Sequence, residues 1–319
     1  MRKGKRLIAW IMAVVMLFTP VAKHGRLSVK GADLVDSKGN KFQLRGISTH
    51  GINWDVGSPY VNKKAFKTLR DDWGVNAIRL AMYTEEYNGY CSGGSGMYAI
   101  IDWHILSDGN PNKNKSQAKK FFTTMAKKYK NNKNVIYEIC NEPNGCSWKE
   151  IKSYATDIIK TIRKYDKKAV IIVGTPTWSQ LGTDGTSNEV ADSPIKGYKN
   201  IMYSLHFYAS EWAHNEYLPA KVAYARKKKL PIIVSEFGLS PASGDGAINK
   251  ASADKWMKLL NKYNISYFCW SLSNKNESAS LLKPSTKKTS GWKSGDLSTA
   301  GKYIKKKYLA RKKALGKKA

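Results

Sequence analysis

Short apolar segments alternate with amphipathic segments along most of this chain. Between the apolar segments, hydrophobic residues recur at the period of a helix, as in 64–73 and 116–129. Strands that alternate with helices in this way predict an α/β fold with a closed parallel sheet, the (β/α)8 or TIM barrel. The eight predicted strands begin near Phe42, Val75, Met97, Asn134, Ala169, Ile201, Leu230 and Ile265.

Two shorter segments precede the first of these strands. Residues 26–30 and 34–40 have the pattern of a β-hairpin. We expect this N-terminal hairpin to close the bottom of the barrel.

One interval between predicted strands is short. The second and third strands begin 22 residues apart (97 − 75), and the intervening segment 84–96 holds four glycines and two serines. Such a composition opposes a helix, so the outer helix between strands two and three is predicted to be absent. Strands of a barrel bury both faces. We therefore expect an exposed apolar patch there, unless neighbouring helices shift to cover it; its residues would be Ile78, Leu80, Ala99 and Ile101.

The first 22 residues have the pattern of a secretory signal. Arg2, Lys3, Lys5 and Arg6 precede an apolar stretch at 7–18, and small residues follow it. Twelve apolar residues are too few for a stable membrane span, although a retained anchor is the alternative. The sequence therefore predicts a signal peptide at 1–22, a barrel domain at 23–304 and a basic tail at 305–319. A secreted, extracellular protein is expected.

The net charge of +31 raises the possibility of a nucleic-acid partner. The lysines are spread over helix-like segments, however, so the charge is interpreted as solvated helix faces, with loose adhesion to anionic polymers. We expect no nucleic-acid function and no stable membrane anchor, and the protein is expected to be a monomer.

Neither a disulfide scaffold nor a metal site is predicted. The four cysteines, Cys91, Cys140, Cys146 and Cys269, are too few for the first and wrongly spaced for zinc. Cys140 and Cys269 lie in strand-like segments and are predicted to be buried free thiols. The motifs H-E-x-x-H and G-x-S-x-G do not occur, which disfavours a metallopeptidase and a serine hydrolase. No cofactor is expected.

Two glutamates stand at the ends of apolar runs. Glu142 ends the run that starts at Val135, and Glu236 ends the run that starts at Leu230. Carboxylates at the C-terminal ends of barrel strands lie where such folds build active sites. Most glycosidases cleave the glycosidic bond with a pair of carboxyl groups. Glu138, four residues before Glu142, is predicted to project inward below it as a buried structural carboxylate that pairs with a cation or with hydrogen-bond donors.

Several other polar residues are predicted to share that end of the barrel. Three of the five histidines, His50, His104 and His206, fall at predicted strand ends. Tyr208 follows His206 by two and so points to the same side of its strand. Arg79, at the end of the second strand, is predicted to lie beside Glu236 as its cation.

The chain resembles the clan A glycoside hydrolases of family 5, in particular the bacterial endo-β-1,4-glucanases. The resemblance covers nearly all of the predicted mature chain, except that residues 84–96 stand where the family carries a helix and that the lysine content is high. The matching segments are GISTHGINW at 46–54, IRLAMY at 78–83, IDWHILSDGNP at 101–111, VIYEICNEPNG at 135–145, IIVGTPTWSQ at 171–180, MYSLHFYA at 202–209, VSEFG at 234–238 and CWSLSNKNES at 269–278.

The resemblance implies endo-cleavage of β-1,4-glucan with net retention, with Glu142 as general acid/base and Glu236 as nucleophile. Asn141 is expected to bond the sugar 2-hydroxyl, and Tyr208 is expected to orient the nucleophile. With Arg79 and His206, these form the predicted catalytic set. The predicted substrate-binding residues are His50, Trp54, Tyr83, His104, Trp178, Trp270, Lys275 and Glu277, among which Trp270 is the expected platform for the sugar at the cleavage point.

Two kinds of alternative remain open from the sequence. A mannanase, a xylanase or a mixed-linkage glucanase would use the same scaffold. A sugar-binding barrel that has lost catalysis through damage near residue 90 is the alternative from another class.

Overall fold

The computed structural model describes residues 23–84 and 100–316 of the chain. Its strands are β1 (Ser28–Lys30), β2 (Asp33–Val35), β3 (Arg45–Thr49), β4 (Ala77–Tyr83), β5 (Ile100–His104), β6 (Ile136–Glu138), β7 (Val170–Val173), β8 (Ile201–Tyr208), β9 (Ile232–Gly238) and β10 (Tyr267–Leu272). Strands β3 to β10 pair in parallel in chain order, and β10 closes the barrel by pairing with β3. The (β/α)8 barrel predicted from the sequence is therefore confirmed. Each predicted strand start lies within about three residues of the observed one.

Helices surround the barrel, and their buried faces follow the predicted period. In the first helix, Phe66, Leu69 and Trp73 face the sheet. This helix begins where the Asn62 side chain accepts a hydrogen bond from the Ala65 amide, and it ends at Gly74, whose φ of 75° suits glycine. The helices are α1 (Lys63–Trp73), α2 (Lys115–Tyr129), α3 (Trp148–Arg163), α4 (Pro176–Ser179), α5 (Glu189–Asp192), α6 (Trp212–Lys227), α7 (Lys250–Lys262) and α8 (Thr299–Gly316).

The N-terminal hairpin closes the bottom of the barrel, as the sequence predicts. Strands β1 and β2 pair antiparallel. Leu34 of β2 packs in one apolar cluster with Ile100, Ile136 and Phe268, which line the lower interior of the barrel. The interior is thus filled at the bottom by apolar side chains, which leaves polar side chains to gather at the opposite, C-terminal end of the strands.

The predicted exposed patch beside β4 and β5 is wrong at every described position. Ile78, Leu80 and Ile101 are each 1% exposed. They belong to the same apolar cluster as Phe66 of α1 and Phe122 of α2, the helices that flank these two strands. Ala99 and the segment 85–99, on which the predicted absence of a helix rests, lie outside the described residues.

Residues 305–316 are not a separate tail but the greater part of α8. Tyr308 is fully buried, and its hydroxyl donates a hydrogen bond of 2.7 Å to the carbonyl oxygen of Gly46 in β3. Arg311 donates from Nε to the side-chain oxygen of Gln43 at 2.9 Å. The expected boundary at residue 304 is corrected, because α8 anchors the chain against the first barrel strand.

Two further sequence expectations concern thiols and membranes. Cys140 and Cys269 are buried free thiols, as predicted. Across the described ranges, no helix has the length and apolar content needed to cross a bilayer.

Tyr308→Ala should lower the free energy of unfolding by about 3–5 kcal/mol, because it opens a cavity where an aromatic ring is fully buried. Chemical denaturation measures this change. Leu309→Ala on the same helix is the control, since Leu309 is 37% exposed and should change stability little. Equal stability of both variants would show that α8 does not support the barrel.

Candidate active site

The two glutamates singled out in the sequence meet at the C-terminal end of the barrel. Glu236 lies in β9, and Glu142 follows β6 by four residues. One carboxylate oxygen of each glutamate lies within 4.8 Å of the other, and a ring nitrogen of His206 lies within the same distance of both. Retaining glycosidases hold their carboxyl groups about 5–5.5 Å apart and inverting ones about 6.5–9.5 Å apart. The close approach matches the retaining arrangement.

Glu236 is held as an anion. Arg79 Nη1 donates to its Oε2 at 2.8 Å, and the Tyr208 hydroxyl donates to its Oε1 at 2.7 Å. Burial alone would raise the pKa of Glu236, but the charge of Arg79, assisted by His206 and the Tyr208 hydrogen bond, lowers it below its ordinary value. At neutral pH this carboxylate is ionised and fixed in orientation, as a nucleophile requires.

Arg79 also binds two other carboxylates below the site. The guanidinium, which is fully buried, donates from Nε to Glu138 at 2.7 Å and lies with Nη2 3.0 Å from Asp102. Glu138 is thus the buried, paired carboxylate that the sequence predicts. Although its burial raises the pKa of Glu138, Arg79 and His206 bring it down to about 2. Burial raises the pKa of Asp102 above its ordinary value.

His206 links Glu142 to the interior of the barrel. Its Nδ1 lies 2.8 Å from Glu142 Oε1, and its Nε2 lies 2.9 Å from the Ser235 hydroxyl. Burial opposes the charged imidazolium, but the carboxylates of Glu138, Glu142 and Glu236 outweigh it and raise the pKa of His206 to about 9. His206 therefore keeps its proton at neutral pH, next to the Glu142 carboxyl group, which is partly open to solvent.

Asn141 is oriented by its neighbours. Its side-chain oxygen accepts from Arg79 Nη2 at 2.5 Å. Its side-chain nitrogen donates to the Ile105 carbonyl at 3.1 Å and lies 3.3 Å from His104 Nε2. His104 in turn contacts Asp102 through Nδ1 at 2.7 Å. Both Arg79 and Asp102 therefore fix this amide beside the glutamates.

One side of the site is an aromatic wall formed by five of the predicted residues. Its rings are in series, with centroid distances of 4.3 Å from Trp54 to Tyr83, 4.3 Å from Tyr83 to His104 and 5.4 Å from His104 to Trp270. His50 adjoins Trp270 at 5.2 Å. Burial, together with the charge of Lys275, lowers the pKa of His50 to about 3, so its ring is neutral at neutral pH.

Lys275 and Glu277 lie behind this wall rather than at the glutamate pair. Lys275 Nζ is 2.5 Å from Glu277 Oε2, and Glu277 Oε1 is 3.9 Å from His50 Nε2. Glu277 thus lies next to His50 of the aromatic wall and Lys275 pairs with Glu277, and the sugar contacts predicted for both residues stay predictions.

Trp178 stands on the other side of the site. It is 45% exposed and lines a cleft of about 360 Å³ together with Glu142, His206 and Tyr208. The indole is therefore an open apolar surface in the same cleft as Glu142.

Comparisons with known proteins show the family of this chain. The family model described as cellulase, glycosyl hydrolase family 5, matches residues 35–276. The chain belongs to this family.

Named relatives of this family-5 chain are endoglucanases. Endoglucanase 5 of Pectobacterium carotovorum subsp. carotovorum is 44% identical over 309 residues, which span 92% of this chain and 59% of that protein. An endoglucanase of Clostridium saccharobutylicum is 44% identical over 333 residues, 95% of this chain and 72% of the other. The chain thus spans between about half and three quarters of the length of these two relatives.

Solved structures of the family have the same fold. The catalytic domain of Thermobifida fusca endoglucanase Cel5A, in complex with cellotetraose, is 36% identical and superposes with a TM-score of 0.85. The match covers 91% of this chain and 99% of that domain.

Sequence reasoning missed three residues of this family-5 site. Asp102 precedes His104 by two in a strand, so the shared inward side was readable from the sequence. Ser235, the partner of His206, and His214, whose Nδ1 accepts a hydrogen bond from the Tyr208 amide at 2.8 Å, had no such signal. His214 follows its strand on α6, and only the fold brings it to the cleft.

Glu142, His206 and Glu236 are also a possible metal-ligand set within the described ranges. The oxygens of Glu236 already accept from Arg79 and Tyr208, and a divalent cation there would face the buried guanidinium. The donor set fits proton transfer and nucleophilic attack better than it fits a metal ion.

Glu138→Gln should lower the free energy of unfolding by about 3–5 kcal/mol, because it leaves Arg79 buried with one partner fewer. The folded-state pKa of Glu138 is depressed, so its contribution is fully present above the ordinary value of 4.5 and is lost as pH falls through about 2. The stability gap between wild type and variant should therefore narrow over that range, as measured by denaturation at several pH values.

Glu216→Gln is the matched control, since Glu216 is an exposed glutamate on α6. It should leave stability unchanged at every pH. If Glu138→Gln abolished turnover but melted like wild type, Glu138 would be catalytic rather than structural.

Proposed function

We propose that this chain is a retaining endo-β-1,4-glucanase that cleaves cellulose and related β-glucans by double displacement. The observation that carries the proposal is the pair of close carboxyl groups in unlike surroundings. Glu236 is ionised between Arg79 and Tyr208, whereas Glu142 contacts His206 and is partly open to solvent. Membership of the family and the endoglucanase names of the relatives support the substrate class.

In the first step, the Glu236 carboxylate attacks the anomeric carbon of the sugar. The bond from that carbon to the glycosidic oxygen breaks as the new ester bond forms, and Glu142 gives the leaving oxygen its proton. The ester links the sugar to Glu236 with inverted configuration. Tyr208 and Arg79 keep the attacking carboxylate in position, so little reorganisation is needed in the transition state.

In the second step, Glu142 acts as a general base instead of a general acid. Its carboxylate takes a proton from water, and the oxygen of that water attacks the anomeric carbon and releases Glu236. A second inversion gives net retention. Asn141, whose amide is fixed by Arg79 and the Ile105 carbonyl, would bond the sugar 2-hydroxyl, whose contacts strengthen in the transition state.

The aromatic residues would bind the glucan on both sides of the cleaved bond. Trp270, beside His50 and His104, is the proposed platform for the sugar at the cleavage point. Trp178, exposed beside Glu142, would carry the leaving part of the chain, because Glu142 protonates the leaving oxygen. Lys275 and Glu277 would bond hydroxyl groups of a more distant sugar.

Export is a further part of the proposal. The basic and apolar pattern of residues 1–22 supports a cleaved signal peptide and an extracellular enzyme, and those residues lie outside the described ranges. Mass spectrometry of the protein recovered from culture medium would test this, and a cell-retained chain that keeps residues 1–22 would contradict it.

The alternative functions differ from the proposed one either in substrate or in the absence of catalysis. Activity compared on carboxymethylcellulose, glucomannan, xylan and barley β-glucan separates a cellulase from a mannanase, a xylanase or a mixed-linkage glucanase. A sugar-binding barrel without catalysis is disfavoured by the closed sheet and by the intact glutamate pair. A turnover assay and a thermal melt on one preparation decide between that rival and an enzyme.

Glu236→Ala should remove nearly all turnover of carboxymethylcellulose, and added azide should restore part of it, because a small anion fits the vacated nucleophile position. The azide product should have inverted configuration by NMR, whereas the wild-type product should retain it. Glu216→Ala, at an exposed glutamate, is the control and should keep full activity. Unimpaired turnover of Glu236→Ala, or inversion by the wild type, would refute the mechanism.

A further inference from the structure

A second large cleft lies at the opposite end of the barrel from the glutamates. It has a volume of about 930 Å³ and is lined by residues from the N-terminal ends of the strands and from the end of α8. Arg45 is the first residue of β3, and Asn264 precedes β10. We call this the basal cleft. Nothing in the proposed glucanase mechanism uses it.

Arg45 is buried in the basal cleft without a carboxylate partner among the described residues. Arg45 is 8% exposed, and among the described residues its Nε has no hydrogen-bond partner. Its one hydrogen bond, from Nη1 to the Gln43 carbonyl, is 3.5 Å long and therefore weak. An unpaired buried guanidinium is costly, so an anion that enters the cleft would relieve that cost.

Asn264 supplies a second unsatisfied group. Its side-chain nitrogen is buried without a partner and lines the same cleft. Both unsatisfied groups of the basal cleft are therefore hydrogen-bond donors. Two orphan donors that line one cavity are complementary to an acceptor-rich ligand.

The surrounding charges favour a negative ligand. Lys23 and Lys38 line the cleft, and Arg311 lies close enough that its charge, after burial itself, helps to lower the pKa of Arg45. The acidic lining residue, Asp36, is already occupied, because it pairs with His24 at 3.0 Å and accepts from the amides of Lys38 and Asn40.

We propose that the basal cleft binds a phosphate group, with Arg45 and Asn264 as its principal donors. A guanidinium suits the geometry of phosphate oxygens, which can accept two parallel hydrogen bonds. The cleft is much larger than one phosphate ion, so the phosphate is one carried by an anionic polymer. The net charge of +31 would raise the concentration of such a polymer near the protein.

Titration calorimetry of the full chain with orthophosphate, at constant ionic strength set by chloride, tests the site. Wild type should show one saturable site. Arg45→Gln should weaken binding at least about tenfold, because it removes the charged donor. Asn264→Asp should weaken it as well, because a carboxylate there repels the anion and pairs with Arg45.

Two comparisons make the test decisive. Lys258→Gln removes one charge from an exposed position on α7 and should bind like wild type. Asn264→Asp keeps a side chain that tolerates the φ of 55° at this position, so its melting temperature should show an intact fold even if Arg45→Gln fails to fold.

The same titration with polyphosphate identifies the source of the phosphate. Tighter binding of polyphosphate than of orthophosphate, with orthophosphate as its competitor, would support a polymer ligand. The absence of saturable orthophosphate binding would overturn the proposal. So would equal weakening by Lys258→Gln and Asn264→Asp, because that result would reduce the binding to general attraction by net charge.

Discussion

The buried guanidinium of Arg79 organises the C-terminal end of the barrel, where the two glutamates lie. Arg79 contacts Glu236, Glu138 and Asp102 at 2.7–3.0 Å, and it donates to the amide oxygen of Asn141. Burial of so many charges is tolerated only because each finds a partner of opposite sign. The same contacts keep Glu236 ionised, fix the Asn141 amide beside it and link β4, β5, β6 and β9. Stability and chemistry at this end of the protein are therefore not separable.

Much of this site was predictable because strand geometry is regular. Alternation in a strand brings His206 and Tyr208 to one side, and the same rule applies to Asp102 and His104. The run that ends at Glu142 also indicated that Glu138 lies inward and below. Ser235 and His214 were not predictable, because their roles depend on which neighbouring strand or helix approaches them, and a single chain segment carries no such information.

Two regions of the structure differ from what the sequence predicted. Ile78 and Leu80 are buried in one apolar cluster with residues of α1 and α2, so the short interval between the predicted strands did not leave them exposed. In α8, the density of lysines obscured an apolar stripe at Ala300, Ile304 and Tyr308, spaced by four, that packs on the barrel. The high lysine content reflects the solvated face of that helix and gives no sign of its buried face.

The contact between Tyr308 and Gly46 has a consequence for the order of folding. Closure of the barrel requires β10 to pair with β3 and α8 to pack behind that seam, although 222 positions separate Arg45 from its partner Tyr267. Contacts between such distant segments slow folding, and the contact of Tyr308 with Gly46 cannot form until synthesis has passed residue 308. Until then the seam between β3 and β10 lacks the helix that packs behind it, so α8 adds its stabilisation only after all eight barrel strands have been made.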